Sequence, residues 1–227
     1  METIKKVIRY VILEIDYWLL RLMCRILIDR NKIKFCHISM DDVSFSIDHN
    51  WIGVEENTLS YLEKLGCPVT LFLYKKVAKS TSYRKLSNSN IVFNYHLAEF
   101  YEDSNIVLPT SSYSRFHYYK ASSLGLQNFS IWGGKALFTC HDNLRVSYDL
   151  NEYENKQVNT VYKYSKNGIE YIKTDIRLEW PIVIQLLKTK PHALLVVFGH
   201  EGTMSRYAKR LNFLVKILKN KQIKLIK

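Results

Sequence analysis

Residues 33–45, Ile-Lys-Phe-Cys-His-Ile-Ser-Met-Asp-Asp-Val-Ser-Phe, constrain this chain more than any other stretch. The apolar start (Ile33, Phe35, Ile38) reads as a strand, and the strand stops at two adjacent carboxylates, Asp41 and Asp42. Asp is depleted inside strands and neighbouring acids repel, so the pair marks a strand end. A turn, with either Asp capping the next segment, is the simpler reading. The sharper one is a parallel α/β architecture, which presents chemistry at the carboxyl ends of its strands.

The order of the downstream elements favours the second. Residues 55–65 read as a helix with Leu59, Leu62 and Leu65 on one side and Gly66 as its C-terminal cap. Residues 69–73 are β-branched and aromatic, a second strand, and strand–helix–strand implies parallel pairing. Residues 75–90 are polar, helix and loop. Further strands are expected at 91–95, 114–119, 129–132, 136–139 and 194–198, and helices at 120–126, 180–187 and 206–219. Asn167-Gly168 between two alternating arms predicts a hairpin over 159–174, an excursion from the parallel scaffold. A length of 227 residues allows one large domain or two small ones, and no repeat or boundary divides residues 31–227.

Lys and Arg total 33 against 21 acids, a formal charge of +12 that favours anionic partners. The basic residues are dispersed and no recognition motif is present, so nucleic acid ranks last among those partners. The four cysteines lack close paired spacing, which suits free thiols in a reducing compartment, and with no export signal a cytoplasmic location is expected.

Residues 7–28 predict an amphipathic helix within an N-terminal unit of 1–30. Ile8, Val11, Ile12, Ile15, Trp18, Leu19, Leu22, Met23 and Ile26 form its apolar face. Arg9, Glu14, Asp16, Arg21 and Arg25 interrupt it, leaving no stretch long enough to span a bilayer. Packing on the body of the domain is the favoured expectation. The alternative is peripheral membrane contact, with Lys5, Lys6, Arg9, Arg21 and Arg25 near anionic headgroups; Glu14 and Asp16 weaken it.

Three strand runs thus end in ionisable groups: Asp41 and Asp42, then His96, then His200, with Arg115 and Tyr118 on a fourth. Parallel strands bring such ends to one rim. Asp and His together suit a divalent metal of the zinc type, with a second Asp placed to take a proton from water. His37, His49 and His192 read as structural. Asp142 follows a strand and is a candidate substrate contact. Asp175, Arg177 and Glu179 alternate with apolar residues and share one face, either a solvated ion-pair ladder or a rim for sugar hydroxyls.

The pattern resembles, in divergent form, the polysaccharide deacetylases of carbohydrate esterase family 4. Ser39-Met40-Asp41-Asp42 is similar to their Thr-Phe-Asp-Asp motif, which implies Asp41 as general base and Asp42 as metal ligand. Arg115-Phe116-His117-Tyr118 resembles Arg-x-Pro-Tyr, with Arg115 orienting the base and the backbone near Tyr118 holding the oxyanion. Val197-Phe198-Gly199-His200 resembles the late motif and implies His200 as general acid. The second motif, His-Ser/Thr-x-x-His, is broken: His96 is followed at that spacing by Phe100. Glu99, Asp103 or His117 would then complete the metal site, His117 ranking first because it replaces a motif proline.

The resemblance implies a distorted (β/α) barrel over 31–227, with an inserted β-hairpin and the N-terminal helix. It implies a zinc-dependent hydrolase removing an N-acetyl or other acyl group from an amino sugar; the lack of an export signal and the charge of +12 point to a nucleotide- or lipid-linked glycan precursor as its substrate. The competing expectation is a catalytically degenerate barrel that binds carbohydrate or an anionic surface.

Overall fold

A computed structural model describes residues 2–43, 56–73, 90–97 and 112–227. Helix α1 (Glu2–Arg30) is followed by β1 (Phe35–Val43), α2 (Glu56–Leu65), β2 (Val69–Leu73) and β3 (Ile91–Leu97). Then come β4 (Tyr113–Phe116), a single turn at His117–Tyr119, α3 (Ser123–Ile131), β5 (Ala136–Phe138) and α4 (Glu152–Val161). The chain continues through β6 (Lys163–Lys166), β7 (Ile169–Ile172), β8 (Ile176–Arg177), α5 (Ile182–Lys188) and β9 (Leu194–His200). A 3-10 segment (Glu201–Arg206), α6 (Ala208–Asn220) and β10 (Lys224–Ile226) complete it.

The strands form one sheet in the order β6-β7-β5-β4-β3-β2-β1-β9-β8, with β10 beside the start of β1. Among the described residues every pairing is parallel except β6 with β7. The central strands β1 and β9 are buried along most of their length, as parallel strands covered on both faces must be. Among the described residues no pairing joins the two ends of this path, β6 and β8, so a closed barrel is not seen. The sheet's two halves are joined instead by the chain itself, which passes from β7 to β8 through residues 173–175.

Several elements depart from the sequence reading. Residues 129–132 do not form a strand: α3 runs through them from its N-cap Ser122, because Phe129 packs against Phe116 in the core. The hairpin turns at Asn167-Gly168, both at positive φ as a tight turn requires, yet it is no excursion. Its second arm pairs with β5 and carries the sheet forward. The hairpin starts later than expected, because residues 159–161 finish helix α4, an element the sequence reading lacked, which a capping box between Asn151 and Glu154 starts. His49 and residues 75–89 lie outside the described residues.

Helix α1 packs on α5 and α6, but not through the expected face. Its buried residues are Leu20, Cys24, Leu27 and Ile28, whereas Ile8, Val11, Ile12, Ile15, Trp18, Leu19, Leu22 and Ile26 are exposed. Asp16 explains the orientation. Buried itself, it accepts the backbone N–H groups of Ile182 (2.8 Å) and Val183 (2.9 Å), capping α5 where Pro181 has no side chain to do so. Its Oδ2 also pairs with buried Arg210 at 3.0 Å. Asp16→Ala leaves a buried guanidinium without its partner, and urea unfolding is expected to register a loss of about 3–5 kcal/mol; a loss below about 1 kcal/mol contradicts this anchor.

Candidate active site

In a regular strand Asp41 and Asp42 would point to opposite faces. A β-bulge prevents this. Met40 pairs with Leu71 and Val43 with Leu73, so the two acids together oppose one residue of β2. Asp42 sits at φ 56, a left-handed conformation that Asp tolerates better than most residues. Both carboxylates consequently line one cavity, of about 170 Å³. The strand therefore runs through the acids to Val43 rather than stopping at them, and β3 likewise continues past His96 to Leu97.

Asp41 is held by Arg115, whose Nη1 donates to its Oδ1 at 2.7 Å and to Ser39 Oγ at 3.1 Å. Nη2 reaches Thr174 Oγ1 at 3.3 Å, in the segment joining β7 to β8. The guanidinium is 1 % exposed and lies 4.6 Å from the Phe198 ring centroid, with Phe72 and Phe138 further out. These aromatic faces favour a buried cation. Sheet register completes the placement, since His96 is the strand partner of Arg115 and Asp41 is the partner of His200. Gly199 keeps β9 close to the next segment: a Cβ there would lie 2.7 Å from the Tyr207 ring.

Asp42 bridges two imidazoles. Its Oδ1 is 3.1 Å from His96 Nε2, and its Oδ2 is 3.8 Å from His200 Nε2. His200 Nδ1 bonds Glu179 Oε1 at 2.8 Å, and the same oxygen accepts the His200 backbone N–H and the Thr203 hydroxyl. Burial works against the His200 imidazolium. The hydrogen bond and charge of Glu179, with Asp41 and Asp42 behind them, outweigh it and raise the pKa above the ordinary value. Burial alone would raise Glu179, but its bonds to the His200 side chain and backbone bring it down to about 2.

The cavity thus gathers Asp41, Asp42, His96, Arg115, Tyr118, Arg177 and His200. Asp142 and Asp175 are not among its lining residues. Asp142 accepts the Leu144 N–H in a surface turn, and Asp175 is buried with His192 and the Val196 N–H. Sequence reasoning missed Glu179 as the group that orients His200. Its alternation with Arg177 placed both on one face, and Arg177 Nε does bond Glu179 at 3.1 Å. It also missed Arg145, which donates to the Tyr118 carbonyl from a loop that carried no signal.

His96 Nδ1 is 2.9 Å from the Arg115 carbonyl, an acceptor, so that nitrogen carries the proton. Its Nε2 and Asp42 Oδ1 then face each other as two acceptors, unless a proton or a cation lies between them. A carbonyl-oriented imidazole beside a carboxylate fits a divalent cation in donor chemistry. Among the described residues, however, no group of three or more His, Cys, Asp or Glu side chains is placed to hold one. Within that set Asp42 and His96 therefore lack the third protein ligand that catalytic zinc takes. Glu99, Asp103 and the His117 side chain lie outside the described residues.

No protein-family model matches this sequence, and no curated protein matches it. Solved structures do. A Bordetella bronchiseptica protein, described as a polysaccharide deacetylase involved in O-antigen biosynthesis, is 11% identical; the match covers 86% of this chain and 92% of that one, at a TM-score of 0.49. The family 4 carbohydrate esterase of Streptomyces lividans is 12% identical over 86% and 91%, at 0.47. The 4-alpha-glucanotransferase of Thermococcus litoralis is 10% identical over 86% and 37%, at 0.50. At such identities the likeness concerns the fold alone, a mixed α/β fold around a parallel sheet.

The Glu179–His200 pair gives a direct check. An NMR titration should place the His200 midpoint above 6.5. In Glu179→Gln the anion that favours the imidazolium is gone, so the midpoint should fall. A midpoint unmoved by that substitution contradicts the pairing.

Proposed function

We propose that this chain is a hydrolase that removes an acyl group, N-acetyl foremost, from an amino sugar. The observation that carries this reading is the adjacency of Asp41 and His200. They are register partners on neighbouring strands about 4.8 Å apart, each fixed by its own buried counter-ion, and both face one cavity. Two proton-handling groups held in different electrostatic environments are the arrangement that acid–base hydrolysis needs. The motif order along the sequence supports the same chemistry.

Asp41, oriented by Arg115, accepts the proton of the attacking water. His200, kept protonated by Glu179, donates to the departing amine nitrogen. Developing charge on the acyl oxygen meets Arg177 and the backbone of the His117–Tyr119 turn, where Tyr118 and Tyr119 both adopt positive φ. A divalent cation, if bound, would be held by Asp42 and His96 and would supply Lewis-acid polarisation of the acyl carbonyl. Arg145 and Arg177 at the cavity favour an anionic substrate, consistent with a nucleotide- or lipid-linked precursor.

The test is acetate release from N-acetylated amino-sugar precursors, measured in chelator and again with added zinc. Asp41→Asn and His200→Ala should each lower the rate by at least about 100-fold; Asp41→Asn also takes the charge from the buried partner of Arg115, so its melting temperature should fall, whereas that of His200→Ala should stay close to wild type. The alkaline limb of the rate profile should lie above the ordinary histidine range. The two-donor cation site favours a second reading, a glycan-binding barrel without turnover. Wild-type protein that binds these sugars and releases no acetate in either condition would establish that reading instead.

A further inference from the structure

Helix α1 has two apolar sides. One, formed by Leu20, Cys24, Leu27 and Ile28, is buried. The other runs through Ile4, Ile8, Val11, Ile15, Trp18 and Leu22 to Ile26, spaced three or four residues apart, and all of it is exposed; Leu22 reaches 74%. At 1.5 Å per residue this stripe is roughly 33 Å long. Helices apolar on both sides are ordinarily covered on both, and soluble proteins rarely leave so long a patch bare. Residues 3–12 are exposed all round, and no described helix is long and apolar enough to cross a membrane.

We propose that α1 lies in the plane of an anionic phospholipid surface, with this stripe among the acyl chains. Charge selects the occupant. Lys5 borders the stripe on one side, and Arg21 and Arg25 on the other. The acids nearest it are already paired within the chain, Glu14 with Lys209 at 3.1 Å and Asp29 with Lys221 at 2.5 Å. Trp18, with the Arg21 guanidinium 4.8 Å from its ring, belongs at a membrane interface. A second copy fits less well. Antiparallel docking about Ile15 sets Lys5 against Arg25 and Arg9 against Arg21, and parallel docking sets each cation against itself.

The experiment is co-sedimentation of the full chain with vesicles of phosphatidylcholine alone or mixed with phosphatidylglycerol. Binding is expected to the mixed vesicles and not to the neutral ones. Ile15→Glu/Leu22→Glu should abolish it with melting temperature unchanged, because both residues are exposed in the free protein. Arg21→Gln/Arg25→Gln should weaken it by roughly 25-fold, about fivefold per charge. Failure of wild-type protein to bind the mixed vesicles, or equal binding to both kinds, overturns the proposal. So does self-association in sedimentation equilibrium that Ile15→Glu/Leu22→Glu removes, which would assign the stripe to a second copy. Acetate release by soluble enzyme is independent of all these outcomes.

Discussion

One guanidinium ties the interior together. Arg115 on β4 reaches Ser39 and Asp41 on β1 and Thr174 on the segment between β7 and β8. Its own carbonyl orients His96 on β3. Among the described residues no strand pairing joins β7 to β8, and this side chain adds a link across the interior from β4 to β1 and to the segment between β7 and β8. A buried cation is costly to desolvate, and the arrangement holds because a carboxylate, two hydroxyls and three aromatic faces surround it. Fixing Arg115 fixes Asp41, and through Asp41 the direction of the site.

The second device is the bulge at Asp41 and Asp42. A single extra residue in β1 turns two side chains that alternation would separate toward the same cavity. Asp41 then serves the arginine, and Asp42 is left to the two histidines. Division of labour between adjacent acids is thus a consequence of backbone geometry. The left-handed conformation of Asp42 costs of order 1 kcal/mol, a small strain that the surrounding sheet over-determines.

Much of this was legible in the sequence. Apolar runs interrupted by Asp41, His96, Arg115 and His200 pointed to the parallel sheet and the convergent rim, because a strand's buried length and its polar end differ in composition. Other features were not legible. The bulge has no signature beyond the paired acids. The pairing of Glu179 with His200 is a tertiary contact across 21 residues. Phe129–Trp132 is β-prone by composition, yet it finishes a helix because packing against Phe116 outweighs propensity. The face of α1 was misjudged for a physical reason. Periodicity reveals that a helix has an apolar stripe, but Asp16, a charged residue, decided which side went inward. Buried charges that cap and pair are invisible to hydropathy.

The site depends on the convergence of residues far apart in sequence around the Asp42 carboxylate. The most direct measurement follows the imidazole C–H resonances of His96 and His200 in wild-type protein and in Asp42→Asn. If one carboxylate bridges both rings, removing its charge shifts both sets of resonances, while those of His192, which pairs with Asp175, stay in place. Resonances of only one of the two rings moving, or of neither, would contradict the site.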